Sequence, residues 1–255
     1  MKMPPQLMAQ TLTSEAGFHE AAGYRFARVM RLCVHPAVQR RGLGSHLLHH
    51  MMQDLCDEDV DAVGAMFGLT PWLLQLWMRE QTRLVWVAHG SDPSSGHHSA
   101  TVLRAVSGRC RELIDRLQAR LALQFPDFLR DPLSELDAST LRGVLAALGS
   151  LVAGPPDAQD LADVRSYACG SRNLSCCRYA LVRASLDALG SSPTRLSDRF
   201  TQVILDMLQG REVNESILRQ AVRQLPWLTD TQGFREDQKG HDYSIQHRGQ
   251  EWNRV

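Results

Sequence analysis

Apolar and polar positions alternate through "YRFARVMRLCV", Tyr24 to Val34. Phe26, Arg28, Met30, Leu32 and Val34 fall on one side, and Ala27, Val29, Arg31 and Cys33 on the other. Both sides become largely apolar toward the end, which predicts a strand passing into the interior of a sheet. His35-Pro36 stops it, because proline has no amide hydrogen for a ladder. The period then changes. Leu47, Leu48, Met51, Met52 and Leu55 recur at helical spacing and predict a helix over 43–55. "VDAVGAMF" (60–67) is a second strand, closed by Gly68. "TPWLLQLWMRE" (70–80) is a short helix with Thr70 as N-cap, Pro71 in its first turn and Leu73, Leu76 and Trp77 as its apolar stripe. "TRLVWVA" (82–88) and "HHSATVLRAV" (97–106) are third and fourth strands on either side of a Gly/Ser/Pro loop. Residues 5–22 are weakly helical.

After Ser107 the pattern becomes helical throughout. Segments 108–125, 138–152, 158–168, 173–189, 195–209 and 213–224 each read as a helix, with breaks at "FPDF", "GPPD", "GSSP" and "LQGRE". The expected class is therefore α/β (α+β): a partial mixed sheet in residues 1–107, followed by an all-α part in 108–225. Residues 226–255 are polar and aperiodic and form an expected poorly ordered tail. No internal repeat or low-complexity block interrupts this order.

Composition changes the picture little. Of 255 residues, 44% are hydrophobic and 22% charged, and basic and acidic residues number 28 each. That is a globular balance with no global field for a polyanion. The basic residues are nearly all Arg, with Lys only at Lys2 and Lys239, and Arg forks suit phosphate. Cys33, Cys56, Cys110, Cys169, Cys176 and Cys177 show neither zinc spacing nor a disulfide framework, so reduced thiols and a cytoplasmic location are expected. No apolar run approaches the ~18 residues of a membrane span, and no secretory signal opens the chain.

The candidate chemistry lies at "VHPAVQRRGLGSHLL", Val34 to Leu48. A glycine-bearing turn that opens a helix is an anion site, because the first helical N–H groups lack intrahelical partners and the dipole adds positive charge. Gly42 and Gly44 admit a close approach, and Arg40 and Arg41 add charge beside them. Glycines at such a turn also serve simply as turn-formers. The patterns of a P-loop, a dinucleotide fold, a metalloprotease, a serine hydrolase and a zinc deaminase are all missing, so no ATP site is expected here. His46, His49 and His50 are expected on a solvated helix face, and no metal site is expected. His35 is the titratable residue nearest the turn, with a plain strand-ending role as its alternative.

The strand, then "VHP", then Gln-x-x-Gly-x-Gly opening a helix, resembles the acetyl-CoA motif of the GNAT N-acetyltransferases. "RVMRLCVHPAVQRRGLGSHLL" is similar, more specifically, to the tRNA(Met) cytidine acetyltransferases. "PQLMAQTL", "FGLTPWLLQLW" and "SSGHHSATVLR" resemble further stretches of that family. The resemblance implies an incomplete GNAT domain lacking its early strands, followed by a helical tail that contacts tRNA. It implies acetyl transfer from acetyl-CoA to the N4 amine of the wobble cytidine of elongator tRNA(Met). Leu32, Cys33 and Val34 match the strand that faces the pantetheine and thioester. Gln39, Arg40, Arg41, Gly42, Leu43, Gly44 and Ser45 match the pyrophosphate turn, and Arg79 matches an arginine of the following helix.

The chain also departs from that family. The family's N-terminal ATP-binding module has no counterpart here. Trp72 stands where an acidic residue is usual, Gln81-Thr82 replaces Gly-Phe, and "HGSDPSSG" lacks an Arg. No residue pair identifies a catalytic base. A separate chain carrying the missing ATPase and early strands is the implied partner beside tRNA. For tRNA contact, the span 165–223 offers nine arginines, Arg165, Arg172, Arg178, Arg183, Arg195, Arg199, Arg211, Arg219 and Arg223, against five acids. A solvated helix surface accounts for the same residues. Two other readings are a non-catalytic RNA-binding remnant and a GNAT enzyme acting on protein or small-molecule amines.

Overall fold

The computed structural model describes residues 7–55, 59–191 and 196–229. Four strands form one mixed sheet in the order β1-β2-β4-β3: β1 (Phe26–Val29), β2 (Ala62–Gly68), β3 (Arg83–Ser91) and β4 (His98–Ala105). β1 lies parallel to β2, with Phe26 opposite Ala62 and Val29 opposite Ala65. β2 pairs antiparallel with β4 along its whole length, and β3 closes the other side against β4 with shifts in register.

Helices cover both faces. α1 (Leu7–Gln10) runs into a π-helical turn over Thr11–Glu15, and a 3-10 turn follows at His19–Gly23. This N-terminal stretch packs with α4 (Gly108–Phe128) on one face, burying Met8, Leu12, Ala21, Ala62, Val85, Leu103, Cys110 and Leu113 together. α2 (Leu43–Asp54) and α3 (Pro71–Arg79) cover the other face through Leu48, Met52, Leu74 and Trp77. That cluster continues without a break into α5 (Ala138–Leu148), α6 (Ala158–Cys169), α7 (Leu174–Ser191), α8 (Asp198–Leu208) and α9 (Glu215–Val222).

Several helices have a local reason to start where they do. Thr70 Oγ1 accepts from Leu73 N at 3.3 Å and caps α3, with Pro71 pre-set for the first turn. Ser107 caps α4. Asp157 and Asp160 form a reciprocal capping box on α6. Asp137 caps α5 by accepting from the amides of Ser139 and Thr140. Burial raises its carboxyl's pKa, but the Ser139 and Thr140 bonds outweigh that and hold it at about 2.

The observed elements differ from the sequence reading in three places. The first strand ends at Val29 rather than Val34: beyond the Val29–Ala65 pair the chain parts from β2, and the Val34 carbonyl accepts from Gln39 Nε2 of the following turn at 2.9 Å. The buried stripe of α3 is Leu74 and Trp77; Leu73 is half-buried and Trp72 is 67% exposed. Pro226–Thr229, read as the start of a polar tail, form α10 and bury Leu228; residues 230–255 lie outside the described residues.

Candidate functional site

Past Val29 the chain leaves the sheet. Residues 30–34 run without regular secondary structure to the turn that leads into α2. His35 caps a 3-10 turn (Pro36–Val38), its Nδ1 accepting from Ala37 N at 3.3 Å. Gln39 Nε2 donates to Val34 O at 2.9 Å and ties the turn to the extended segment. Arg40 and Gly42 both sit at positive φ, 59° and 81°. For glycine this conformation is cheap; for Arg40 it carries strain of a kind that clusters at functional turns. Gly42 is the N-cap of α2 and offers no side-chain cap, so the leading amides of α2 have no intrahelical acceptor. The first bond of this helix runs from His46 N to Gly42 O at 2.9 Å.

These parts wall a cleft of about 700 Å³. Leu32, Cys33 and Val34 form one side, Val38, Gln39, Arg40, Gly42, Leu43, Gly44 and Ser45 the turn, and Trp72, Gln75, Leu76 and Arg79 the α3 side. Gly44 lets the turn lie close to the segment: a Cβ there would meet Val34 Cγ2 at 3.4 Å. His49 Nδ1 lies 3.4 Å from Glu80 Oε2, which links α2 to the end of α3.

No lining residue is acidic, and two guanidinium groups, Arg40 and Arg79, face the cleft. Among the described residues, neither these two nor Arg41 has an ion-pair or hydrogen-bond partner. Elsewhere arginines are held: Arg109 by Asp61, Arg172 by Asp163, Arg183 by Asp160 and Arg211 by Asp206. Unpaired arginines beside unpaired helix-start amides make a positive pocket suited to a phosphate-bearing ligand.

Ten of the eleven residues expected from the sequence come together at this cleft: Leu32, Cys33, Val34, Gln39, Arg40, Gly42, Leu43, Gly44, Ser45 and Arg79. Arg41 is exposed and does not line it. Val38, Trp72, Gln75 and Leu76 belong to the lining but were not expected. Trp72, Gln75, Leu76 and Arg79 stand at i, i+3, i+4 and i+7, the spacing of one helix face, and that signal was present in the sequence. No histidine or carboxylate lines the cleft, and His35 is engaged as a cap, so no catalytic base emerges from it.

The expected tRNA-facing arginines divide. Arg172, Arg183, Arg211 and Arg219 pair with acids, while Arg178 and Arg223 donate to the carbonyls of Met207 and Ala168. Arg178, Arg183, Arg219 and Arg223 reach neighbouring helices, whereas Arg172 and Arg211 hold the turns that follow α6 and α8. Arg165 and Arg199 have no partner among the described residues, and Arg195 lies outside them.

The fold and the cleft define a class first: an α/β protein with a basic cleft at a helix N-terminus. Comparison with known proteins then supplies the family. The chain is 32% identical over 213 residues to a Nitrosococcus halophilus protein named tRNA(Met) cytidine acetyltransferase TmcA, covering 82% of this chain and 29% of that protein. It is 37% identical over 150 residues to the Haloferax volcanii protein of the same name, covering 59% and 19%. It is 28% identical over 181 residues to that of Haemophilus ducreyi, covering 69% and 29%. No established protein-family model matches the sequence. The similarity places the chain in the tRNA(Met) cytidine acetyltransferase family, and it spans under a third of the length of these relatives.

Proposed function

We propose that this chain is the acetyl-CoA-binding part of an N-acetyltransferase that modifies N4 of the wobble cytidine in tRNA(Met). One observation carries the reading: the cleft joins the first amides of α2, which have no intrahelical acceptor, to two arginines without an ion-pair partner among the described residues, with no acid in its lining. In this reading the amides of Leu43, Gly44 and Ser45 hold a diphosphate, with Arg40 and Arg79 neutralising phosphate charge. Leu32, Cys33 and Val34, freed from the ladder, offer backbone groups and apolar surface to a pantetheine arm. Bound acetyl-CoA supplies the activated acyl group. The protein's part is to orient that group and to present backbone N–H donors where oxyanion charge develops.

The relatives' names support tRNA as the substrate, and the GNAT assignment rests on the order and register of the sheet together with the turn. No helix among the described residues is long and apolar enough to cross a membrane, which is compatible with the proposed cytoplasmic location. The test is nucleoside mass spectrometry of unmodified tRNA(Met) incubated with the chain and acetyl-CoA. The expected product is N4-acetylcytidine, lost in the Arg40→Glu, Arg79→Glu double variant. Acetylation of peptide or small amines with no mark on tRNA would contradict the substrate assignment.

A further inference from the structure

We propose that Trp72 is a stacking platform for the adenine base of the CoA nucleotide, and that through it the cleft selects CoA over a bare phosphopantetheine. The inference rests on the cofactor reading above and adds to it a base subsite that the turn does not supply.

Trp72 is the aromatic residue of the cleft wall, and it is 67% exposed. The other described tryptophans are held in the interior. Trp77 is buried and stacks on Phe67, with ring centres 6.1 Å apart. Trp86 is buried and donates Nε1 to Glu15 at 2.8 Å, and Trp227 packs against the main cluster. Among the described residues Trp72 has neither a ring partner nor a hydrogen bond. The helix does not need an indole there: Thr70 and Pro71 start α3, and Leu74 and Trp77 carry its buried side. Leu43, from the start of α2, lines the same cleft and is 47% exposed. Both helices therefore offer apolar surface to one opening, as a pocket for a flat organic ring requires.

The position of Trp72 on α3 identifies the part of the ligand. Trp72 and Arg79 lie seven residues apart on one helix face, which is two turns or about 10 Å. Gln75 lines the cleft between them with a side-chain amide. A flat ring, an amide and a cation in that order suit a nucleotide, whose base has apolar faces and a polar edge and whose phosphates are anionic. Stacking accepts any base, because every base has a π-face. The acceptor's cytosine is the other base that could lie on an indole. It must meet the acyl end of the thioester, which in the same reading lies against Leu32, Cys33 and Val34. Trp72 instead shares its helix face with the phosphate-facing Arg79, so adenine is the base assigned to it.

The experiment is calorimetry of the full chain with CoA and with 4′-phosphopantetheine, which keeps the arm and lacks the adenosine. Trp72→Ala should weaken CoA binding about tenfold and leave 4′-phosphopantetheine binding unchanged. Trp72→Phe keeps a ring and should recover most of the CoA affinity. Indole emission is the second readout: CoA should quench it in the wild type more than in Trp72→Phe, and 4′-phosphopantetheine should quench neither. Thermal melts check that each variant is folded. Equal CoA affinity in the wild type and Trp72→Ala would overturn the inference and leave the cofactor reading standing. An equal loss for both ligands would overturn it as well, since the effect would then lie on the arm. Quenching by tricytidylate without quenching by CoA would move Trp72 to the acceptor side and overturn it. Failure of CoA to bind the wild type would overturn the cofactor reading and this inference together.

Discussion

Asp61 joins three elements with one carboxylate. Oδ2 accepts from Arg25 N at 2.9 Å, at the entry to β1. Oδ1 accepts from Ser107 Oγ at 2.8 Å, the N-cap of α4. Arg109 bonds both oxygens at 3.2 Å and also donates to Gly23 O at 2.8 Å, with its guanidinium 4.5 Å from the Tyr24 ring centre. The Arg109 bond first, then the Arg25 amide, lower the Asp61 carboxyl from its ordinary 3.8 to about 2. Its side chain is 13% exposed. A difference of that size, at about 1.4 kcal/mol per unit, amounts to about 2 kcal/mol of stability at neutral pH. The folded value lies below the unfolded one, so this contribution is complete above the unfolded pKa and is lost as pH falls toward the folded value. About half should remain at pH 3. Asp61→Asn keeps the shape and removes the charge. Urea denaturation at pH 7 should show a loss of about 2 kcal/mol, or about 4–8 °C in Tm, and the gap to wild type should halve by about pH 3. A loss that is constant from pH 7 to pH 3 would refute the linkage and leave only a packing effect.

Arg40→Gly removes a left-handed backbone penalty and a cleft cation together. It should raise stability by about 1 kcal/mol in thermal melts while weakening acetyl-CoA affinity about tenfold by calorimetry; unchanged affinity would remove Arg40 from the site. Gly64→Ala should cost about 3 kcal/mol or prevent folding, because its Cβ would overlap the Val102 carbonyl oxygen and meet Leu103 Cδ2 at 2.7 Å; circular dichroism and urea melts measure this. Iodoacetamide at mild alkaline pH should label the exposed Cys33, Cys169 and Cys176 and spare Cys110, whose thiol burial pushes up to about 12; CoA should protect Cys33 alone, as peptide mass spectrometry can show.

How much of this was legible in the sequence follows from where each feature is encoded. Period and caps are local, so the strands over 62–68, 83–91 and 98–105 and the helices of the C-terminal half lie close to where the pattern puts them. The turn was legible for the same reason, since Gly42 and Gly44 are punctuation that no longer-range contact overrides. The early end of β1 was not. Residues 30–34 keep their alternation, but the chain parts from β2 after Val29, and its Val34 carbonyl is taken instead by Gln39 Nε2 of the following turn, a contact that the period does not encode. The arginines of the helical half were equally illegible. Arg183 and Arg219 look alike as letters, and only packing shows Arg183 tied to Asp160 and the Ala153 carbonyl, and Arg219 to Glu215 and the Tyr167 carbonyl. The α3 wall of the cleft lay between these cases: its spacing was visible, but Trp72 read as a departure and not as lining.

The central claim is that the amides and arginines around Gly42 hold the diphosphate of a CoA thioester. Its most direct measurement is the melting temperature of the full chain with and without acetyl-CoA. At about one hundred times Kd, binding should stabilise by about 2.7 kcal/mol, which raises Tm by about 5–10 °C. Gly42→Trp, which fills the turn, and Arg79→Glu, which leaves the backbone untouched, should each abolish that rise relative to their own ligand-free melts. An unchanged Tm in the wild type, or the same rise in both variants, would contradict the account.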